Sequence, residues 1–178
     1  DVSRGVEAFL SGLPAASVYA ALEGMKSAGM EPGDLGIMET LLDARSLFLT
    51  PNTTTVYGMM EIDVKDGPVV VVLPPNVLGP INDAFFRHVS DFGFVGPDEG
   101  KGGKYLFVHD TYDGDLPEGY FVVRMPTYRN VAFFRAVVQE GDLAGAVKGV
   151  KDVFRSYPLA MADNPPEQRF VNVSGVQF

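Results

Sequence analysis

TTTVYGMMEIDVKDGPVVVVL, residues 53–73, holds the two signals that decide the fold. Its first half is rich in β-branched and aromatic residues with loose alternation, so Thr54, Val56 and Ile62 read as strand. Lys65-Asp66-Gly67-Pro68 is turn chemistry, because Asp and Gly tolerate the backbone angles of a tight reversal. Val69 to Leu73 is a short unbroken apolar run, the mark of a strand covered on both faces.

Working outward, the same grammar recurs. Pro74, Pro75, Gly79 and Pro80 read as an irregular connection, and Asn82 to Phe94 as the next strand. Alternation along that strand places Phe86, His88, Ser90 and Phe92 on one face, with Phe85, Arg87, Val89 and Asp91 on the other. Gly96 to Gly103 reads as a flexible loop. Lys104 to Val108 and Tyr120 to Met125 are further strands, and Asn130 to Val138 suits either strand or helix. Asp142 is placed to cap a helix running to Phe154, with Leu143, Ala146, Val147, Val150 and Val153 as its apolar positions. Val171 to Phe178 reads as extended.

Before the deciding stretch the period is helical. Pro14 suits a first turn, and Val18, Ala21, Leu22 and Met25 recur at helical spacing until Gly29 stops them. A second helix is expected after Asp34, striped by Leu35, Met38, Leu41 and Leu42. The chain thus divides into an N-terminal helical segment (residues 1–50), a β body with a C-terminal helix (51–158) and a linker (159–178). Strands joined by hairpin signals predict a mostly β protein with flanking helices, an antiparallel β-sandwich.

The 178 residues suffice for one well-buried core. A net charge of −9 repels a nucleic-acid backbone and an anionic membrane surface, so neither is expected as the main partner. Cysteine is absent, which excludes disulfides, thiol nucleophiles and Cys-based zinc sites. The longest uninterrupted apolar run, Val69 to Leu73, falls far short of the ~20 residues of a membrane helix, so no transmembrane segment is expected. Nor is there a secretory signal pattern. The chain opens on Asp1 rather than Met, from which an upstream segment is expected to have been removed.

No chemical motif is complete. Lys101 in the glycine-rich stretch 96–104 is followed by Gly102 and then by strand, not by Ser or Thr opening a helix, so a phosphate loop fails. Asp110, Asp113, Asp115 and Glu118 lack calcium-loop spacing, since Tyr112 and Pro117 stand where ligands belong. His88 and His109 make a metal pair only if their strands adjoin in register. A triad from Ser90, His88 and Asp91 is disfavoured by the alternation, which turns Asp91 away from the other two. Asn52-Thr53-Thr54 and Asn172-Val173-Ser174 match the glycosylation triplet. Arg45, Arg87, Arg124 and Arg135 sit among apolar residues and need carboxylates or carbonyls as partners. They are either structural ion pairs or the lining of a pocket for a carboxylate or sugar. Asn52, Tyr57, Arg87, Asp91 and Arg124 are the candidate ligand-binding residues. No catalytic residue is assigned, and no metal site or cofactor is expected.

Leu41-Leu42-Asp43-Ala44-Arg45-Ser46-Leu47-Phe48-Leu49-Thr50-Pro51-Asn52-Thr53-Thr54-Thr55-Val56-Tyr57 resembles the signature region of the domain-of-unknown-function 1254 family. Asp66-Gly67-Pro68, Pro74-Pro75-Asn76-Val77-Leu78-Gly79, Gly102-Gly103-Lys104-Tyr105-Leu106 and Leu116-Pro117-Glu118-Gly119-Tyr120-Phe121-Val122-Val123-Arg124 are similar to its later segments, in the same order. The family commonly carries Asp where this chain has Thr54. The resemblance implies an immunoglobulin-like sandwich, an exported (periplasmic or secreted) protein, and continuation into a second β domain of the 1214 type. Asn164-Pro165-Pro166 and Phe170 to Gly175 resemble the segment leading into that domain, so the chain is expected to be an N-terminal fragment. The resemblance implies no activity. The expected function is a non-enzymatic, envelope-associated module that binds a small polar ligand. Its rival is a hydrolase whose site lies at the junction with the second domain. Oligomerisation is left open.

Overall fold

The computed structural model describes residues 1–43 and 52–176. Two sheets enclose one core. The larger has the order β10-β1-β2-β8-β4-β5 and the smaller β7-β6-β3-β9. Their strands are β1 (Leu35–Ile37), β2 (Thr55–Asp63), β3 (Val69–Leu73), β4 (Val77–Asn82), β5 (His88–Gly93), β6 (Gly103–His109), β7 (Phe121–Met125), β8 (Arg129–Val137), β9 (Arg155–Pro158) and β10 (Phe170–Asn172). Helix α1 spans Val2–Ser27 and helix α2 spans Leu143–Val153.

The reading of residues 53–73 holds. β2 and β3 flank the Lys65–Gly67 turn, but they are not each other's partners. β2 pairs in full register with β8 in one sheet, and β3 pairs with β6 and β9 in the other. The turn therefore carries the chain from one layer to the next. Between the layers, Val56, Met60, Ile62, Phe92 and Phe134 meet Val71, Leu73, Tyr105, Phe107 and Met125, joined by Val150 of α2 and by Phe154 just after it. Asp142 caps α2 as expected, its side chain accepting from Gly145 N at 2.8 Å.

Several expectations are corrected. The helix after Asp34 is absent. Leu35–Ile37 is a strand held between β2 and β10, and Asp34 instead anchors a turn by accepting from Glu31 N at 2.7 Å. Helix α1 begins at Val2, so Pro14 lies inside it. The sheets are not purely antiparallel, because β1/β10 and β6/β7 are parallel pairs. β4 occupies most of the expected irregular connection; Pro80 has no N–H to give, and pairing with β8 lapses between Leu78 and Ile81. The expected strand 82–94 is a turn followed by β5. The stretch read as a linker supplies β10, which lengthens the large sheet. Arg45 lies outside the described residues.

α1 also revises the membrane reading. At 26 residues, with an 18-residue window of mean hydropathy 1.3, it is long and apolar enough to cross a membrane, a test that a core helix or a signal sequence also passes. Scattered polar residues hid it from a search for unbroken runs. Its second half packs Val18, Leu22 and Met25 onto the outer face of the large sheet, against Met38, Met59, Val131 and Val173.

The glycine-rich stretch 96–103, expected to be a free loop, is tied down by a buried carboxylate. Asp98 accepts from Gly93 N at 2.7 Å, from Gly102 N at 3.0 Å and from the Tyr105 hydroxyl. Burial, and then the hydrogen bond to Asp98, push the Tyr105 hydroxyl well above the ordinary tyrosine range. Burial raises Tyr157 as well. The sign of the consequence follows from linkage. Above pH ~10 the unfolded chain releases these protons while the folded chain keeps them, so stability is full below pH ~10 and falls as pH rises beyond it. Urea midpoints between pH 8 and 11.5 are expected to drop steeply only above pH ~10, and Tyr157→Phe should blunt that drop. A flat profile would contradict it.

Candidate functional site

The candidate residues from the sequence do not converge. Asn52 and Tyr57 are brought together at the start of β2: Asn52 N donates to Tyr57 Oη at 3.0 Å, and Asn52 Oδ1 accepts from Thr54 and Thr55. Arg135 lies over the Tyr57 ring at 5.4 Å. Arg87 is largely exposed and paired with Asp83 at 2.6 Å. Arg124 belongs to the other sheet, where it donates to the carbonyls of Asp110 and Tyr112 at 3.1 Å each and so braces the turn that leaves β6.

Asp91 brings a correction. Its carboxylate lies 2.8 Å from His88 Nε2, although strict alternation put them on opposite faces. Between β4 and β5 the register slips, so Ile81 faces Ser90 while Asn82 faces His88, and a bulge re-aims the histidine. His109 is separate, stacked on Tyr128 and bonded to Thr111. Among the described residues no three His, Asp or Glu side chains are grouped to hold a metal ion.

Polar side chains converge elsewhere, in a cleft of about 520 Å³ where the two sheets part. Its walls come from the turn before β1, from β2, from β9 and from the residues before β10. Asp34 pairs with Arg169 at 2.6 Å, and Arg169 also reaches the Gly29 carbonyl. Glu61, nearly buried, takes Arg129 Nε at 2.5 Å and Nη2 at 3.3 Å. That pairing raises the already high Arg129 value, against the opposing effect of burial. Gln168 ties the walls together, accepting from Ser156 N at 2.6 Å and donating to Gly33 O at 3.0 Å. The Ser156 hydroxyl is shielded from solvent and has no hydrogen-bond partner.

This lining is acidic. Asp34, Glu61, Asp63, Asp66 and Glu167 outnumber Arg169, so the cleft favours a cation or a hydroxyl donor over a carboxylate. These residues escaped sequence reasoning because they come from far-separated positions joined by the β1/β10 pairing. Glu61 carried the one local signal, a carboxylate among Met59, Met60 and Ile62.

The family model for a protein of unknown function, DUF1254, matches residues 32–158. The chain belongs to the DUF1254 family. That match begins at the turn lining the cleft and ends with β9, so it takes in every strand but β10. Among solved structures, the VPA0106 protein from Vibrio parahaemolyticus is similar, with 18% identity, a TM-score of 0.68, and coverage of 90% of this DUF1254 chain and 39% of its own. An uncharacterized protein from Burkholderia cenocepacia matches at 11% identity and a TM-score of 0.42, covering 93% and 45%. The DUF1254 chain thus spans about two fifths of the length of the Vibrio protein, whose likeness establishes the fold alone. A search of curated proteins returns no match.

Proposed function

We propose that this DUF1254 chain is a non-enzymatic module of a longer, exported, envelope-associated protein, and that it binds a small polar ligand. In this reading the two sheets form an immunoglobulin-like sandwich that packs against a second β domain of the 1214 type. The observation that carries the ligand role is the cleft of Asp34, Glu61 and Arg169, with the unpartnered Ser156 hydroxyl in its wall. A buried hydroxyl without a partner is costly, and a ligand hydroxyl or amine would satisfy it. The ligand class is therefore a sugar, polyol or amine.

Thermal-shift and calorimetric titrations test this with neutral sugars, polyols, amines and carboxylates as separate panels. A ligand at one hundred times its Kd adds about 2.7 kcal/mol to stability. The expected result is a saturable rise in Tm with a member of the first three panels and none with carboxylates, weakened at least tenfold by Ser156→Ala. Silence from all panels would remove the ligand role.

A junction hydrolase is the second reading, and the His88–Asp91 pair favours it, since an exposed imidazole oriented by a carboxylate suits proton transfer. Arg87, on the turn just before His88, would then serve as a substrate clamp, with further groups on the second domain. Unchanged turnover of ester and glycoside substrates in His88→Ala would dismiss it.

A further inference from the structure

Helix α1 carries two apolar stripes on nearly opposite sides. At ~100° per residue, Val2, Val6, Phe9 and Leu13 centre about 150° around the axis from Val18, Leu22 and Met25. The second set is 3% exposed at each residue; the first is 84, 52, 64 and 45% exposed. Every residue from Asp1 to Pro14 is exposed. Gly5 and Gly12 lie in this half, and a Cβ on either would meet nothing within 4 Å. A helical stretch this short, with two interior glycines, does not hold its form in water unaided.

A second feature adjoins it. Asp83 is fully buried, and its carboxylate accepts from Phe85 N at 2.8 Å, Arg87 N at 2.9 Å and Arg87 Nε at 2.6 Å. The turn so held leaves Phe86 at a φ of +58°, which a bulky L residue rarely adopts. It does not bury either ring: Phe85 and Phe86 are 51 and 55% exposed. Strain maintained by a buried carboxylate, with both rings left half exposed, marks a surface in use. Leu13 and Phe86 line the same apolar hollow, with Val131 and Phe133 at its floor, so the two features form one surface.

We infer that this surface, the outer stripe of α1 with the Phe85-Phe86 turn, is the docking face for the second β domain of the same polypeptide. The inference rests on the reading of the chain as one module of a longer protein. Two observations favour this occupant over a second copy or a lipid surface. The Vibrio relative has three fifths of its length beyond the matched part. The net charge of −9 repels anionic lipid. Aromatic anchors at the centre of an apolar patch are what such an interface uses.

Hydrogen–deuterium exchange on the complete gene product and on the 178-residue chain tests the assignment. Amides 2–13 and 85–87 are expected to be protected at least 100-fold more in the complete product, whereas those of β2 are equal in both. Phe9→Glu and Phe86→Glu should leave the Tm of the 178-residue chain unchanged and cut that extra protection at least tenfold. Equal exchange in a product that does hold a second domain would overturn the docking face and leave the modular reading intact. A product with no further domain would overturn both. Protection that arises instead from dimers of the 178-residue chain, or on phosphatidylcholine–phosphatidylglycerol vesicles, would assign the face to another occupant and overturn the inference.

Discussion

Alanine at position 93 is expected to cost about 4 kcal/mol or more, a large share of the ~5–15 kcal/mol that holds a domain folded. Gly93 closes β5 at a φ of +73°, where an L side chain is strained by about 1–3 kcal/mol before any contact is considered. An added Cβ would also stand 1.6 Å from Val77 O and 2.4 Å from its carbonyl carbon. That neighbour is backbone of β4 and has no rotamer to change. Relief requires β4 and β5 to separate, which breaks the Leu78–Gly93 pairing and draws Gly93 N from Asp98. Gly141 provides the control, having a φ of +78° with nothing within 4 Å of its Cβ position. Gly141→Ala should cost only the conformational strain, about 1 kcal/mol. Equilibrium urea denaturation of both variants measures the gap, and equal losses would show that the close approach to β4 is not real.

Asp98→Ala is expected to cost about 3–5 kcal/mol, because it strands buried donors rather than merely deleting a bond. Gly93 N, Gly102 N and the Tyr105 hydroxyl all give their hydrogens to this carboxylate, and the residue is 2% exposed. Asparagine separates charge from geometry. Its single carbonyl oxygen still serves Gly93 N and Tyr105, but its amide meets Gly102 N donor to donor, so Asp98→Asn should lose an intermediate amount. Tyr105→Phe added to Asp98→Ala removes one stranded donor and is expected to be less damaging than the sum of the single changes. Losses under 1 kcal/mol for Asp98→Ala would mean that water reaches the stretch freely, as a mobile loop would allow.

These two residues also show how far local pattern carries. β2, β3, β6, β7 and α2 were legible from the residues, because alternation, the turn at 65–68 and the Asp142 cap act over a few neighbours. The glycines at 100 and 102 read as looseness, yet both hold positive φ in a tightly bonded turn. What makes them rigid is a carboxylate whose partners lie on both sides of the turn. Position 35 was misread for a related reason. Its apolar neighbours fit a helical stripe, but the backbone hydrogen bonds offered by β2 and β10 outweighed that local preference. The candidate site was almost wholly illegible, since residues 34, 61, 156 and 169 share no pattern until those strands adjoin.

From its residues alone this protein was bound to be mostly β, acidic, free of cysteine chemistry and similar to the 1254 family. Those properties depend on side-chain identity and on spacing over a few residues. Tertiary structure decided which strands share a sheet, that two pairs run parallel, that His88 meets Asp91, and where polar groups gather into a cleft. Each of these depends on register between distant segments, where a slip of one residue exchanges the two faces of a strand. Local pattern does not encode that choice; burial of the shared core makes it.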